Sequence, residues 1–447
     1  MKTLIVDFNN IGGKIKPMNA VNNGPAGSKV RATSGFGAYK AARIPFARNH
    51  DASFSTYYGG EHTVDVHRIF KNFDADENDP ASYVFEPTDN AIADLIEVGT
   101  KPFYRLGASI EHGYKYGTYP PKDYLKWARI CEHIIRHYNE GWANGFHYDI
   151  EYWEIWNEPD VRNPDGSNPC WQGTSEEFAE FFAVAVKHLK EKFPELKIGG
   201  PAMASIRHED NNYDHLHKIK EYGLHPDFLS FHCYGKTVER FTQGIDMARA
   251  AADEYFGKDA EIILNEWNYI RGWLADDWTY SLKMEKGLKG SSFINAIMAA
   301  SQDSPLDMLM YYDARPCGMN GMFDTDTLAP LKGYYSIKSF SDLTDLGTHI
   351  KTEQSDDVYS VAATDGKNAA VLLTHFNDED STPTDTLKLE MKNFPAGSAI
   401  RAEYYLLDES HDMKLMREEI FTASNFAAYL ELPLFTSYLV KFTEVTL

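Results

Sequence analysis

The sequence predicts an α/β fold: a closed (β/α)8 TIM barrel, followed by a C-terminal antiparallel β-sandwich that also takes in the N-terminal strand. Three observations carry this reading. Between about residues 16 and 345, eight short apolar runs mostly alternate with amphipathic helical stretches, the pattern of a parallel sheet covered by helices. After about Leu346 the chain changes to short alternating strands divided by turn signals, as in an antiparallel sandwich. Two of the eight apolar runs end in the same Asn-Glu pair, and the carboxyl ends of strands are where barrels carry their polar groups.

Taken in chain order, Lys2–Phe8 is a strand that lies awkwardly ahead of the barrel and is expected to add to the sandwich. This divides the chain into 1–14, a barrel over 15–346 and a sandwich over 347–447. The barrel strands are expected at Lys16–Asn22, Arg43–Arg48, Pro102–Leu106, Tyr152–Asn157, Lys197–Pro201, Phe228–Tyr234, Glu261–Trp267 and Asp307–Asp313. Helical periodicity marks Lys122–Tyr138, Glu176–Lys192, Val238–Phe256, Ser291–Ser301 and Gly333–Leu346. An open doubly wound sheet is the competing arrangement, but no Gly-rich dinucleotide turn follows the first strand. In the sandwich, strands are expected at Val358–Ala363, Ala369–Phe376, Thr386–Met391, Ala399–Leu406, Ala428–Leu432 and Ser437–Phe442. Asp365-Gly366, Asn377-Asp378 and Pro395-Ala396-Gly397 are the turn signals between several of them. The charged segment Asp408–Glu419 reads as a solvated hairpin or short helix.

A length of 447 residues and a hydrophobic content of 43% allow a large domain plus a smaller one. A net charge of −22 argues against nucleic-acid and anionic-membrane partners, which require basic patches. The 27 Tyr, 26 Phe and 8 Trp suit either sugar stacking or an aromatic core. Cys131, Cys170, Cys233 and Cys317 show no pairing or metal spacing, so reduced structural thiols are expected. The first residues lack the apolar run of about seven that a secretory signal needs, and no segment reaches transmembrane length. The expectation is therefore a soluble, cytoplasmic protein.

The richest stretch is Tyr152-Trp153-Glu154-Ile155-Trp156-Asn157-Glu158-Pro159-Asp160. Proline has no backbone donor and ends the ladder there, just after a carboxylate. Glu261-Ile262-Ile263-Leu264-Asn265-Glu266-Trp267-Asn268 repeats the ending 108 residues later, roughly three βα units of a barrel of about 250 residues. A lone strand-end Glu is ordinarily a solvated loop residue. Two matched endings instead suggest the paired carboxylates that cleave a glycosidic bond. Other predicted strand ends add Arg48-Asn49-His50-Asp51, His232-Cys233-Tyr234 and Tyr312-Asp313-Ala314-Arg315. Glu154 should face the same way as Glu158 but lie deeper, paired or packed. No metal set or cofactor motif stands out.

Trp-Glu-Ile-Trp-Asn-Glu-Pro-Asp followed by Leu-Asn-Glu-Trp resembles the retaining barrel glycoside hydrolases with catalytic glutamates on strands four and seven, and within them family 39, of β-xylosidases and α-L-iduronidases. Asn19-Ala20-Val21-Asn22-Asn23-Gly24-Pro25, Arg48-Asn49-His50-Asp51 and Phe231-His232-Cys233-Tyr234-Gly235 support the match. The resemblance implies Glu158 as acid/base, Glu266 as nucleophile and Asn157 as the residue that bonds the sugar 2-hydroxyl. Trp153 and Trp156 would give Glu158 apolar surroundings, while Tyr234, Asn265 or Arg48 would keep Glu266 ionised. His50 and His232 either hold ring hydroxyls or are structural. Trp267 is placed against the substrate. Asp313 and Arg315 either bind hydroxyls or pair with each other, and Trp171, Trp273, Trp278 and Phe323 are loop aromatics able to stack on a sugar.

The expected function is thus a retaining exo-glycosidase releasing a terminal sugar such as xylose, without cofactor or metal. Alternatives are the same chemistry on L-arabinose, glucose, galactose or a uronic sugar, or a barrel that binds carbohydrate without cleaving it. The expected partner is an oligosaccharide or glycoside; homo-oligomerisation stays open.

Overall fold

A computed structural model describes residues 2–27, 34–55, 59–108, 117–207, 213–352, 356–394, 399–422 and 425–445. Eight parallel strands close into a barrel in the order expected: Ala20–Asn22, Phe46–Arg48, Lys101–Leu106, Tyr152–Ile155, Lys197–Met203, Phe228–Gly235, Glu261–Tyr269 and Met308–Tyr311. We call these barrel strands one to eight. The lower lumen is an aromatic and aliphatic plug. Phe103 of strand three stacks on Tyr152 of strand four at 5.4 Å between ring centres, and Phe228 and Ile263 complete the layer. Above it the lumen turns polar, so the site stands on a packed floor rather than over a pore.

Helix starts follow local capping chemistry. Asp123 caps Tyr124–Glu140 by accepting from the Lys126 N–H, and Thr174 with Glu177 forms a reciprocal capping box ahead of Ser175–Lys192. The helix Leu288–Gln302 is buried on nearly every side because it lies between the barrel and the second sheet. Asn295 Nδ2 reaches Ser437 Oγ there at 2.9 Å, and the Phe293 ring sits 5.1 Å from Phe376.

Among the described residues the second sheet has nine strands in one hydrogen-bonded series running from Asp412–Phe421 at one end to Phe426–Leu432 at the other. It is mostly antiparallel and folds on itself over its own core. The two end strands meet, with Phe421 stacked on Phe426 at 4.1 Å, and one cluster joins Leu4, Val6, Tyr404, Leu430 and Val440. The N-terminal strand extends further than expected, over Lys2–Lys14. It pairs antiparallel with Thr348–Thr352 and parallel with Asp385–Lys392, so the first strand of the chain lies in the interior of the C-terminal sheet.

One difference from the sequence reading has a simple cause. Strand one shortens to Ala20–Asn22 because Pro17 has no N–H to give and the Met18 N–H turns back to the Lys16 carbonyl at 2.8 Å instead of joining the ladder. Of the two forms expected for the charged run Asp408–Glu419, the hairpin is the one observed: Asp412–Phe421 turns back and pairs antiparallel with Ala399–Leu407. As an edge strand it is largely exposed, and its charges discourage further edge pairing. The Pro395-Ala396-Gly397 turn signal lies outside the described residues. Among the described residues, no helix is long and apolar enough to cross a membrane.

The second sheet grips the rim of the barrel. Asp378 accepts from the Tyr269 hydroxyl at 2.6 Å and pairs with Lys289 at 3.0 Å and Lys236 at 2.9 Å. Tyr269 ends strand seven and Lys236 follows strand six, the two strands that bring Glu266 and His232 to the site.

Candidate active site

Strand seven delivers Glu266 through a β-bulge. Pairing with strand six runs Ile263 to Ser230 and Leu264 to Phe231, then slips, so that Glu266 lies opposite His232. The extra residue, Asn265, lets two consecutive side chains turn inward. Asn265 Nδ2 donates to Glu154 at 2.5 Å, and Glu266 stands one layer higher. The same slip turns Trp267 outward, where it is fully buried beside Phe241, Phe293 and Tyr311. The placement of Trp267 against a substrate is therefore corrected. Strict alternation carried past Asn265 puts it on the lumen face, and the bulge reverses that.

Strand four ends in a sharper turn. Trp156 and Glu158 both take left-handed backbone conformations, with φ of 77° and 50°, which residues other than glycine adopt only when the surroundings hold them there. Gly107 makes room, since a side chain on it would meet Trp156 Cα at 3.0 Å. Trp156 then points away from the lumen and packs edge-on to Trp171 at 5.1 Å, while Asn157 points in. Neither Trp153 nor Trp156 surrounds the Glu158 carboxyl: Trp153 stacks on Tyr104 at 4.7 Å, and Trp156 supports the loop over the acid. Its Nε1 donates to the Cys170 carbonyl at 2.9 Å, and Cys170 Sγ lies 3.8 Å from Glu158 Oε2.

Arg48, closing strand two, organises the layer beneath. Its guanidinium is fully buried and donates at 2.7 Å to each of Glu154, Glu266 and Asn157. Glu154 also accepts from Ser230 at 2.6 Å, which confirms a paired, deep position. Because Asn157 Oδ1 is held by Arg48, its amide N–H2 is left for the cleft. Glu266 gains a second donor, the Tyr234 hydroxyl at 3.0 Å. Of the three donors weighed for Glu266, Arg48 and Tyr234 reach it and Asn265 does not.

One atom each of Glu158, His232 and Glu266 lie within 4.8 Å of one another. His232 Nδ1 is 2.8 Å from Glu158 Oε1 and 3.5 Å from Glu266 Oε2, and its buried Nε2 has no partner. Burial depresses the His232 pKa to about 4, so the ring is neutral. A proton on Nδ1 serves both carboxylates, whereas a proton on Nε2 would be a buried, unmet donor. Burial lifts Glu158 to about 7 against the opposing influence of Arg48. Burial raises Glu266 as well, but His232 and Arg48 counter it. The two carboxyl groups therefore differ in kind: Glu158 is poised to hold a proton near neutrality, and Glu266 is clasped by donors suited to its charged form. The three atoms have a spacing that a divalent cation can bridge, but each already holds a hydrogen-bond partner at 2.7–3.0 Å.

On the other flank of Glu266, His50 Nε2 is 3.6 Å from Glu266 Oε1 and 3.9 Å from Asp51 Oδ1. Its Nδ1 accepts from Arg105 at 3.3 Å, and burial among cations holds the ring neutral, well below its usual pKa. Beyond it, Asp313 and Arg315 pair with each other at 3.2 Å, and Arg315 also lies 3.6 Å from Asp51. Asn23 bonds both acids, and Tyr312 donates to Asp51 at 3.0 Å. Of the four aromatics expected in loops, Trp171 and Phe323 are buried in packing and Trp278 lies in the helix Ala275–Met284 rather than in a loop. Trp273 is 55% exposed, stacks on Trp278 at 5.4 Å and meets Tyr234 edge-on at 5.2 Å. Asn23, Ser230 and Tyr312 stand at the predicted strand ends but were given no role of their own, and the contact of Cys170 with Glu158 was not anticipated. Asn23 carried a signal, since it directly follows strand one.

The model of the family "Glycosyl hydrolases family 39" matches residues 43–278, just over half of the chain. The chain is 30% identical over 191 residues to a β-xylosidase of Caldicellulosiruptor saccharolyticus and 26% identical over 197 residues to one of Geobacillus stearothermophilus. Each match covers 40% of this chain and 37% of the relative's own length. In fold, a glucosidase from Croceicoccus marinus superposes with a TM-score of 0.81 at 20% identity, covering 100% of this chain and 99% of its own. A monomeric β-xylosidase from Caulobacter crescentus CB15 superposes with a TM-score of 0.71 at 14% identity, over the full length of both chains.

Proposed function

The chain belongs to glycosyl hydrolases family 39, and from that premise we propose that it is a retaining, exo-acting glycoside hydrolase that releases a terminal sugar such as xylose. The observation that carries the mechanism is the closeness of the two glutamates: both reach His232 Nδ1, Glu158 at 2.8 Å and Glu266 at 3.5 Å, and one oxygen of each lies within 4.8 Å of the other. Such closeness suits the short carboxyl separation of retaining pairs, about 5–5.5 Å, better than the separation of about 6.5–9.5 Å by which inverting pairs admit a water.

Glu158 would protonate the glycosidic oxygen while Glu266 attacks the anomeric carbon. The carbon–oxygen bond to the leaving group breaks, and an ester to Glu266 forms. Water then attacks that ester, giving its proton to Glu158, and the sugar leaves with its original configuration. Protonation of Glu158 near pH 7 supports the acid role, and the Arg48 and Tyr234 donors support the nucleophile role. The free amide N–H2 of Asn157 suits the sugar 2-hydroxyl, a contact that counts for rate when it strengthens in the transition state. Exo action is supported by enclosure, with only 16% of the Glu158 side chain and 7% of Glu266 exposed. Xylose is favoured by the two β-xylosidase relatives.

The test is turnover of aryl glycosides (β-xyloside, β-glucoside, β-galactoside, both α-L-arabinosides and α-L-iduronide), with product anomer followed by NMR and Glu266→Gln run beside wild type. One glycoside should turn over with retention, and the variant should lose roughly three orders of magnitude or more. Inverted product would overturn the mechanism, and full activity in the variant would overturn the assignment of Glu266.

A further inference from the structure

We propose that Glu154, one layer beneath the site, is a positioning residue for the nucleophile: it takes up part of the Arg48 charge and so leaves Glu266 reactive enough to attack. This deepens the glycosidase reading above and rests on it, because that reading makes Glu266 the nucleophile.

Glu154 ties together the strands that build the site. Standing on strand four, it accepts from Arg48 Nε of strand two at 2.7 Å, Ser230 Oγ of strand six at 2.6 Å and Asn265 Nδ2 of strand seven at 2.5 Å. Ser230 is oriented for this, since its oxygen also accepts the Ala202 N–H at 2.8 Å. The bulge that lifts Glu266 into the site thus has its extra residue, Asn265, anchored on Glu154. A neutral amide in its place would turn an N–H2 toward Arg48 or toward Ser230 and Asn265, all of them donors.

Two carboxylates share one guanidinium, each at 2.7 Å. Burial works against the Arg48 charge, and Glu154 and then Glu266 sustain it. A nucleophile alone with a buried guanidinium would be held in a neutral pair, and reactivity falls as basicity falls. Glu154 supplies a second negative charge, which disfavours the ionised form of Glu266 without depriving it of its donor. The other groups around Glu266 do not take this role. His50 and His232 are neutral, and burial keeps the proton on Tyr234. Asp51 lies 3.6 Å from Arg315, and Arg105 pairs with Asp65 at 2.6 Å. Glu158, raised to about 7, holds its proton on the acid side of neutrality.

The experiment is a pH–kcat/KM profile of wild type, Glu154→Gln and the double variant Arg48→Met with Glu154→Gln, on an aryl glycoside that wild type turns over. Losing a neighbouring negative charge should lower the Glu266 pKa, and with it the acid limb of Glu154→Gln, by about one to two units. The plateau should fall at least about threefold as the nucleophile weakens. A site that merely loosened its hold on Glu266 would move the limb up instead, so the direction separates the two. Should Glu154→Gln fail to fold, the double variant decides: with one charge of each sign removed, its limb should lie less than about one unit above that of wild type. A limb that stays or rises in folded Glu154→Gln, or lies further up in the double variant, overturns the role of Glu154 and leaves the glycosidase reading standing. Turnover of no glycoside by wild type would remove that reading, and the role of Glu154 with it.

Discussion

Arg48→Met tests the centre of the site most directly. Arg48 is fully buried and makes 2.7 Å contacts to two carboxylates and to Asn157. Removing one member of a buried ion pair typically costs about 3–5 kcal/mol of stability, and here two acids are left facing each other. A pair with charges about 4 Å apart is worth about 4 kcal/mol at an effective dielectric of about 20. The proton affinity of Glu266 should therefore rise by roughly two to three pKa units. Glu266 must be ionised to attack, and kcat/KM is lost as pH falls through its pKa. Raising that pKa moves the acid limb of the profile upward by about two units. Arg48→Lys keeps the charge but cannot serve three acceptors in one plane, so it should recover most of the limb while staying slow. The assay is a pH–kcat/KM profile of the three forms with calorimetric melting beside it. An unmoved acid limb in the folded methionine variant would refute the argument that Arg48 keeps Glu266 charged.

Three further outcomes are expected. The alkaline limb of kcat/KM should fall through about pH 7, where Glu158 loses its proton, and Glu158→Gln should abolish that limb. On substrates with poor leaving groups this variant should lose about 10²–10⁴-fold, and little on activated aryl glycosides. The same variant bears on stability: the raised Glu158 pKa favours the folded state fully below about pH 4.3, and that benefit is lost as pH rises through about 7. Calorimetry should show Glu158→Gln more stable than wild type by about 3 kcal/mol at pH 9 and no different at pH 4. Treatment with EDTA should leave turnover unchanged, because His232 is already bonded to Glu158 and Glu266 already accepts from Arg48 and Tyr234; recovery of lost activity on adding a divalent metal would refute this.

Much of the barrel is legible in the sequence, because buried parallel strands are continuous apolar runs and need no knowledge of their partners. The two Asn-Glu endings are legible for the same reason, since each closes such a run. What escapes is any feature set by a departure from regular geometry. The bulge at Asn265 depends on pairing with strand six, and no local pattern betrays it, so Trp267 falls on the wrong face. The left-handed turn through Trp156 and Glu158 likewise depends on Gly107, some fifty residues earlier. The Asp313–Arg315 pair was foreseen as one of two options, but the choice required Asp51 and Asn23 from other strands. The charges of Asp408–Glu419 left hairpin and short helix both open, and the choice required the partner strand Ala399–Leu407, against which Asp412–Phe421 lies as an exposed edge.

Placing the first strand inside the last domain has a consequence for the timing of synthesis. Val6 faces Thr352 and Lys2 faces Leu387 in the finished sheet, so this strand waits for partners made some 346 and 385 residues later. At about 5–20 residues per second that is roughly 20–80 s. Throughout it, the alternating apolar side chains Leu4, Val6 and Phe8 have no sheet to enter, while the barrel, whose own strands run from Ala20 to Tyr311, can close without them. During synthesis the chain thus carries an unpaired apolar strand beside a barrel that can already be closed, and that strand stays open to chaperones and to neighbouring copies until the C-terminal sheet is made.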